Sequence, residues 1–276
     1  MDYRADFHVL IDLLTLLIES NNGRRTISGS ERLTRAQTLS IKLFRHLISM
    51  YTAADGCVIE KDGRLLAGYY DFSSVQVLAR AAIETHLVCH YLFSPDSESV
   101  SEYRFKLWCL AGLKDRIKLI TTTEESREKQ LSSQQQVDAL WSELERSVHF
   151  QAEPNYRQKK LEKGEWRGGL QWHDLAELAG FHSAYFRNVY SYVCGHAHSS
   201  FMSVIQITDA QELSDQQMLA SSIIGATNMV LAHHIRLFVK TFPESMPILL
   251  GQAQANRVVD WWYIRSEDLT EVYDRP

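Results

Sequence analysis

The chain has 276 residues, of which 45% are hydrophobic and 23% are charged. This apolar content is enough for a sizeable core and excludes an intrinsically disordered chain. The formal net charge is −5, from 29 basic and 34 acidic residues. The charge balance excludes the general basic character that marks many nucleic-acid-binding proteins.

The cysteines and the N-terminus predict a cytoplasmic protein. Four cysteines occur, and none forms a C-x-x-C pair. Three lie inside apolar helical segments, where a free cysteine behaves as a small hydrophobic side chain, which suits a reducing compartment better than a disulfide scaffold. The N-terminal residues lack a signal-peptide layout, and no apolar run reaches the roughly 18 residues that span a bilayer. We therefore expect no membrane partner.

Hydrophobic periodicity predicts long helices, and the low numbers of proline (five) and glycine (13) agree with it. Helices are expected at about 3–19, 28–55, 73–93, 99–120, 124–149, 183–195 and 214–241, with shorter helical segments at 172–178 and 248–263. The second helix would begin at a capping box, Ser28-x-x-Glu31. The predicted fold class is all-α: a single multi-helix bundle of about seven to eight helices around a buried central helix. Residues 1–276 would form one domain, with 242–276 as a candidate appended segment.

Two segments interrupt the helical pattern. Residues 56–68 contain three glycines and predict a loop, with room for a short hairpin around Val58 and Ile59. Residues 150–169 contain Pro154, three glycines and many charged residues. They predict a long loop, and long loops in compact domains are often functional.

The predicted helix at 73–93 is apolar around its whole circumference, which is typical of a buried helix. Arg80 and Glu84 lie in its middle, one turn apart on the same face. We therefore expect both to be buried, and a buried charge is costly unless it is paired or faces a polar cavity. Two interpretations remain: a structural ion pair, or a polar pocket that uses both residues. The Arg-before-Glu order is the weaker orientation for a helix pair, which favours a second partner.

The second polar segment is 194–200, which reads Cys-Gly-His-Ala-His-Ser-Ser. His196 and His198 are candidates for acid-base catalysis or ligand contact, because histidine titrates near neutral pH. Packing at a helix end is the first alternative. A metal site is the second, although the neighbouring sequence offers no third ligand. Tyr190 and Ser191 would add hydrogen-bonding groups around the same cavity as His198.

Common catalytic and cofactor motifs are absent. No G-x-S-x-G, P-loop, G-x-G-x-x-G or H-E-x-x-H pattern occurs. This counts against the common hydrolase, nucleotide-binding and metalloprotease classes.

Two segments resemble the motifs of a bacterial helical domain-of-unknown-function family. The first is a serine-led helix with an Arg-x-x-x-Glu pair, here running from Asp71 through Arg80 and Glu84. The second is an aromatic-Ser helix that ends in histidine, here Tyr190-Ser191 to His198-Ser199. The family is distantly similar to the HEPN-type helical domains of toxin and anti-phage defence systems.

The resemblance to HEPN-type domains implies an activity. The enzymes among those domains are metal-independent ribonucleases, often dimeric, with an arginine followed after four to six residues by a histidine. Arg80 and His86 have this spacing, but Ala81 stands where a polar residue is usual. Arg80 and His198 are the alternative pair, if they converge in space.

The resemblance leads to a hypothesis of metal-independent RNA cleavage. Arg80 would stabilise a phosphate, Glu84 would orient it and His198 would act as general acid-base, with binding residues at Tyr190, Ser191 and His196. No metal or cofactor is expected. The expected partners are RNA, a protein encoded nearby and a second copy of the chain.

The rival hypothesis is a non-enzymatic helical module for ligand sensing or assembly, in which the polar cluster is structural. The net acidity and the missing polar residue after Arg80 favour it.

Overall fold

The computed structural model describes residues 2–22 and 31–273. The chain is mostly helical, with 76% helix and 4% strand, so the all-α prediction is confirmed at that level. Two compact units are present: Tyr91–Asp174 forms one, and the described residues before and after it form the other. The capping-box residue Ser28 lies outside the described residues. The assignment of the whole chain to a single domain stays a prediction.

The first unit contains most of the helices. Its helices before Tyr91 are Tyr3–Ser20 (α1), Glu31–Ala53 (α2) and Phe72–Phe93 (α3), which continues into the second unit. Its helices after the second unit are Ser183–Ala197 (α9), Phe201–Asp209 (α10), Leu213–Ser221 (α11), Ile224–Thr241 (α12), Met246–Gly251 (α13), Ala253–Trp262 (α14) and Ser266–Tyr273 (α15). A short 3₁₀ helix at Pro243–Ser245 precedes α13.

Helix α12 is the core helix of this unit. It packs against α1, α2 and α14, and its side chains are buried almost without interruption from Thr227 to Val239. Helix α1 contributes a buried stripe at helical spacing, which includes Phe7, Leu10 and Leu14. The periodicity of α1 was therefore a reliable guide to its buried face.

A β-hairpin fills the glycine-rich segment between α2 and α3. Strands Cys57–Lys61 (β1) and Arg64–Tyr69 (β2) pair antiparallel, with Cys57 opposite Tyr69. The turn residues Asp62 and Gly63 both have positive φ angles, 52° and 70°, as a tight hairpin turn requires. The short hairpin that the sequence allowed is present.

The second unit is built on two long helices, Glu98–Ile117 (α4) and Glu124–Leu144 (α5), which pack against each other. Two short helices follow, Val148–Gln151 (α6) and Asn155–Glu162 (α7), and Trp172–Leu178 (α8) leads back to the first unit. The prediction of a loop over 150–169 is therefore wrong for half of its length, at residues 150–151 and 155–162. The high charge of α7 hid its helical periodicity, because only Leu161 is buried there.

The predicted count of seven to eight helices is not confirmed, because the described residues contain more and shorter helices. The predicted helix at 214–241 is two helices, α11 and α12, with a break at Ser222 and Ile223. Together they form a stretch, Leu213–Thr241, that passes as a membrane span by length and composition, and 67% of its apolar window is buried in the protein. Core helices of folded proteins share this composition.

Helix α3 is not buried on all sides, contrary to the prediction. Val77 is 40% exposed, and the side chains of Arg80 and Glu84 are 22% and 25% exposed. The opposite face, which carries Val75, Ala79 and other apolar residues, is buried. Arg80 and Glu84 therefore lie at a boundary between core and solvent.

Candidate functional site

The candidate site begins with the ion pair on α3. Arg80 Nε donates to Glu84 Oε1 at 2.8 Å. The helix places the two residues four positions apart, so their side chains share one face. Because the carboxylate takes the Nε donor, the terminal nitrogens of the guanidinium can serve other partners.

Helix α9 supplies the second partner of Glu84. Tyr190 OH donates to Glu84 Oε1 at 2.6 Å, and the Arg80 guanidinium carbon lies 5.7 Å from the centroid of the Tyr190 ring. One carboxylate oxygen thus accepts from both Arg80 and Tyr190. These contacts join two segments that are 106 residues apart in the chain.

His198, which caps the C-terminus of α9, is a second partner of Arg80. Arg80 Nη1 lies 3.0 Å from His198 Nε2. Arginine can only donate, so His198 Nε2 accepts and its proton must be on Nδ1. The imidazole is therefore neutral, and His198 is exposed to solvent. The next residue, Ser199, has a φ of 49°, an uncommon conformation for a residue other than glycine.

Arg80 and Tyr190, the two donors to Glu84, both stay protonated. Burial lowers the pKa of the Arg80 guanidinium, but the hydrogen bond and charge of Glu84 outweigh it, so that this pKa is raised. Burial raises the pKa of the Tyr190 phenol, and the Glu84 carboxylate raises it further. The site is therefore a charged Arg-Glu pair held by a neutral phenol and a neutral imidazole.

A family of unknown function, DUF5677, matches residues 46–217. The chain belongs to the DUF5677 family. No curated protein and no solved structure shows a significant match.

The DUF5677 match includes all of α3 and α9 and therefore Arg80, Glu84, Tyr190 and His198. It excludes α1 and α12, which form much of the core of the first unit. The four clustered residues thus lie in the part of this chain that defines its DUF5677 membership.

Two of the predicted binding residues lie apart from this cluster. His196 is buried, and its Nδ1 lies 3.1 Å from Ser73 Oγ. Burial lowers the pKa of His196. Ser191 lies on α9 next to Tyr190 but is exposed. Sequence reasoning did not identify Ser73 as a partner of His196, because only the fold brings the start of α3 to the end of α9.

The structure gives no support to a metal site at the two histidines. His196 and His198 have different partners, Ser73 and Arg80. Within residues 2–22 and 31–273, no group of three or more His, Cys, Asp or Glu side chains is arranged to hold a metal ion.

His86 belongs to a separate, buried histidine group in the first unit. His86 Nδ1 lies 3.4 Å from His234 Nδ1, and His234 Nε2 lies 3.0 Å from Ser40 Oγ. Ser40 donates its own proton to Ala36 O, so it accepts from His234, and His234 in turn accepts from His86. The Arg80-x5-His86 spacing therefore does not form a site, because His86 faces the core.

Burial keeps this histidine group neutral. It lowers the pKa of His234 to about 4 and that of His233, whose ring lies 6.2 Å from that of His86, to about 4. The pKa of His86 is also lowered, mainly by burial.

Proposed function

We propose that the DUF5677 chain is a metal-independent ribonuclease of HEPN-like type, with Arg80 and His198 as its catalytic pair. One observation carries the proposal: Arg80 Nη1 and His198 Nε2 lie 3.0 Å apart, although 118 residues separate them in the chain. A guanidinium and a neutral imidazole at hydrogen-bond distance are the groups that RNA cleavage without a metal needs. We extend the proposal to a cytoplasmic toxin or defence role with a partner protein encoded nearby.

In this proposal the first step transfers a proton. A phosphate of RNA takes over donors of Arg80, which frees the lone pair of His198 Nε2. His198 then removes the proton of the 2′-hydroxyl, whose oxygen forms a bond to phosphorus as the bond from phosphorus to the 5′-oxygen breaks. Solvent protonates the leaving 5′-oxygen, and the products end in a 2′,3′-cyclic phosphate and a 5′-hydroxyl.

Glu84 and Tyr190 are positioning residues in this mechanism. Glu84 holds Arg80 through Nε, so the terminal nitrogens remain for the phosphate. Tyr190 donates to the same carboxylate oxygen and fixes its orientation. A guanidinium that is held before the substrate arrives costs less reorganisation when charge develops on the phosphate.

The test is RNA cleavage by the full chain in excess EDTA. We expect wild-type protein to cut a labelled RNA to 2′,3′-cyclic phosphate ends and to leave the 2′-O-methyl form of the same RNA intact. Arg80→Ala and His198→Ala should each lose at least about a hundredfold in rate, within the range for a removed acid-base group or transition-state donor.

Matched controls are Arg146→Ala and His173→Ala, since both residues are exposed and lie in the second unit. Both controls should cleave like wild type. Inactive wild-type protein, or Arg80 and His198 variants that cleave as fast as wild type, would refute the ribonuclease.

A second candidate function is a non-enzymatic module for ligand sensing or assembly. The observation that favours it is that Glu84 Oε1 already has two donors within the chain, Arg80 and Tyr190. A carboxylate whose donors both come from the chain itself can join α3 to α9 without taking part in any reaction. Glu84→Ala would then lower the melting temperature strongly, and no variant of the cluster would change any activity on RNA.

A further inference from the structure

The second unit contains a cavity of about 500 Å³. Its walls are one face of α4, which includes Trp108 and Gly112, and the segment from Lys160 to Gln171 that follows α7. This volume is in the range of small-molecule sites in proteins. The cavity is built entirely from residues 91–174 and shares no residue with the Arg80–His198 site.

Gly112 lies in one wall of this cavity. It lies in the interior of α4, where glycine is less favourable than alanine by about 1 kcal/mol. A Cβ atom added at Gly112 would meet nothing within 4 Å. Local packing therefore does not require a glycine at this position, and there is room for a methyl group here.

Aromatic rings and one guanidinium line the cavity. Trp108 and Trp166 line it together with Arg167. The Arg167 guanidinium carbon is 5.7 Å from the Trp166 ring centroid and 4.5 Å from that of Trp172. These two rings fix the cation in place by cation–π contact.

Arg167 is the cation of this cavity that lacks an acidic partner. Lys160 has Glu165 at 3.8 Å, and Asp115 has Lys118 at 2.9 Å. Within the described residues, Arg167 has no ion pair, and its buried Nη1 has no hydrogen-bond acceptor. The guanidinium therefore has no counter-charge among the described residues, and an anionic group bound in the cavity would supply one.

We propose that this cavity binds a small molecule that carries both a planar ring and an anionic group. The ring would stack on Trp108 or Trp166, and a phosphate or carboxylate would pair with Arg167. Arginine binds phosphate and carboxylate alike through paired donors, so the experiment must decide which of the two groups the ligand carries. The proposal does not depend on the ribonuclease.

The experiment is calorimetric titration of the full chain with four probes. Adenosine 5′-monophosphate offers a ring with a phosphate, and indole-3-acetate offers a ring with a carboxylate. Adenosine supplies a ring alone, and inorganic phosphate an anion alone. We expect one of the first two to bind with a Kd below about 1 mM and at least tenfold more tightly than adenosine or phosphate. Whichever binds identifies the anion.

Two variants locate the site. Arg167→Gln should weaken binding of that probe by roughly tenfold to a hundredfold, as expected for a lost charged hydrogen bond. Gly112→Phe should abolish binding by filling the cavity, whereas Gly112→Ala should leave the affinity within about threefold. Melting curves of each variant show that it is folded.

The proposal fails if neither ring-bearing anion binds saturably below about 10 mM. It also fails if adenosine binds as tightly as its monophosphate and indole-3-acetate does not bind. Binding that survives both Arg167→Gln and Gly112→Phe would place the ligand elsewhere and overturn it as well.

Discussion

Arg80 donates to His198 through Nη1 at 3.0 Å and to Glu84 through Nε at 2.8 Å. One planar guanidinium therefore bridges a carboxylate on its own helix and an imidazole at the end of α9. Lysine cannot reproduce this bridge, because its ammonium is a single point of donation on a flexible stem.

Arg80→Lys is expected to lose activity, although less than Arg80→Ala. The rate of RNA cleavage should fall at least about tenfold and the free energy of unfolding by roughly 1 kcal/mol, because one of the two hydrogen bonds cannot form. Cleavage rate and urea denaturation measure the two effects. Arg35→Lys is the matched control, since Arg35 pairs with Glu31 four residues away on an exposed helix face. A fully active Arg80→Lys protein would contradict the bridging role.

Tyr190→Phe removes a single hydroxyl from the cluster. Glu84 would lose the 2.6 Å hydrogen bond, and we expect the free energy of unfolding to fall by about 1–2 kcal/mol. Equilibrium denaturation in urea measures this loss. Tyr156→Phe should change nothing, since Tyr156 is exposed. Equal stability of the two variants would show that the phenol does not hold the carboxylate.

The buried histidines predict a loss of stability in acid. His233 and His234 have pKa values near 4 in the folded chain, against about 6.5 when unfolded. The unfolded state therefore binds more protons between those values, and the stabilisation present above pH 6.5 is lost as the pH falls toward 4. The total is on the order of several kcal/mol.

Denaturant titrations at pH 7.5, 6, 5 and 4.5 would measure this slope. Other titratable or charged groups near the histidines are His86 and His90 on α3, and Tyr263 and Arg265 after α14. Arg265 adds to the lowering of the His233 pKa. The exposed His173 is the control, and His173→Ala should keep the slope. A stability that does not change between pH 6.5 and 4.5 would mean that the histidines are not neutral and buried.

Two helix-interior glycines should respond in opposite ways to alanine. Gly112→Ala is expected to stabilise the chain by about 0.5–1 kcal/mol, because the added methyl group meets nothing within 4 Å. At Gly195 a Cβ atom would lie 2.9 Å from Ser200 Oγ, which caps α10 through Ser203 N. Gly195→Ala should therefore not stabilise the chain, and the free energy of unfolding should fall by up to about 1 kcal/mol. Thermal melts of both variants test the contrast, and an equal gain at both positions would contradict it.

The sequence predicted the positions of the helices, which depend on residues close together in the chain. The expected helix at 73–93 is α3, Phe72–Phe93, and that at 183–195 is α9, Ser183–Ala197, because apolar spacing and flanking breakers act over a few residues. It was wrong about the environment of α3. Val77 is an apolar residue on an exposed face, and periodicity does not reveal which faces of an all-apolar helix have neighbours.

The partners of Arg80 were harder to predict than its helix. The HEPN-type spacing along the chain pairs Arg80 with His86, which faces the core and contacts His234, whereas the ribonuclease hypothesis named His198. His198 is the residue that meets Arg80, and only the packing of α9 beside α3 decides that. The helices in the 150–169 segment were missed for a different reason, since a short charged helix buries too little to leave a periodic signal.

The order of the units along the chain has a consequence for synthesis. Arg80 precedes the continuous unit Tyr91–Asp174, and His198 follows it. A ribosome must translate that whole segment, for on the order of ten seconds at usual rates, before the residues that complete the first unit emerge. During that interval α1 lacks α12 and Arg80 lacks His198, so the nascent chain carries neither the finished core nor the paired site.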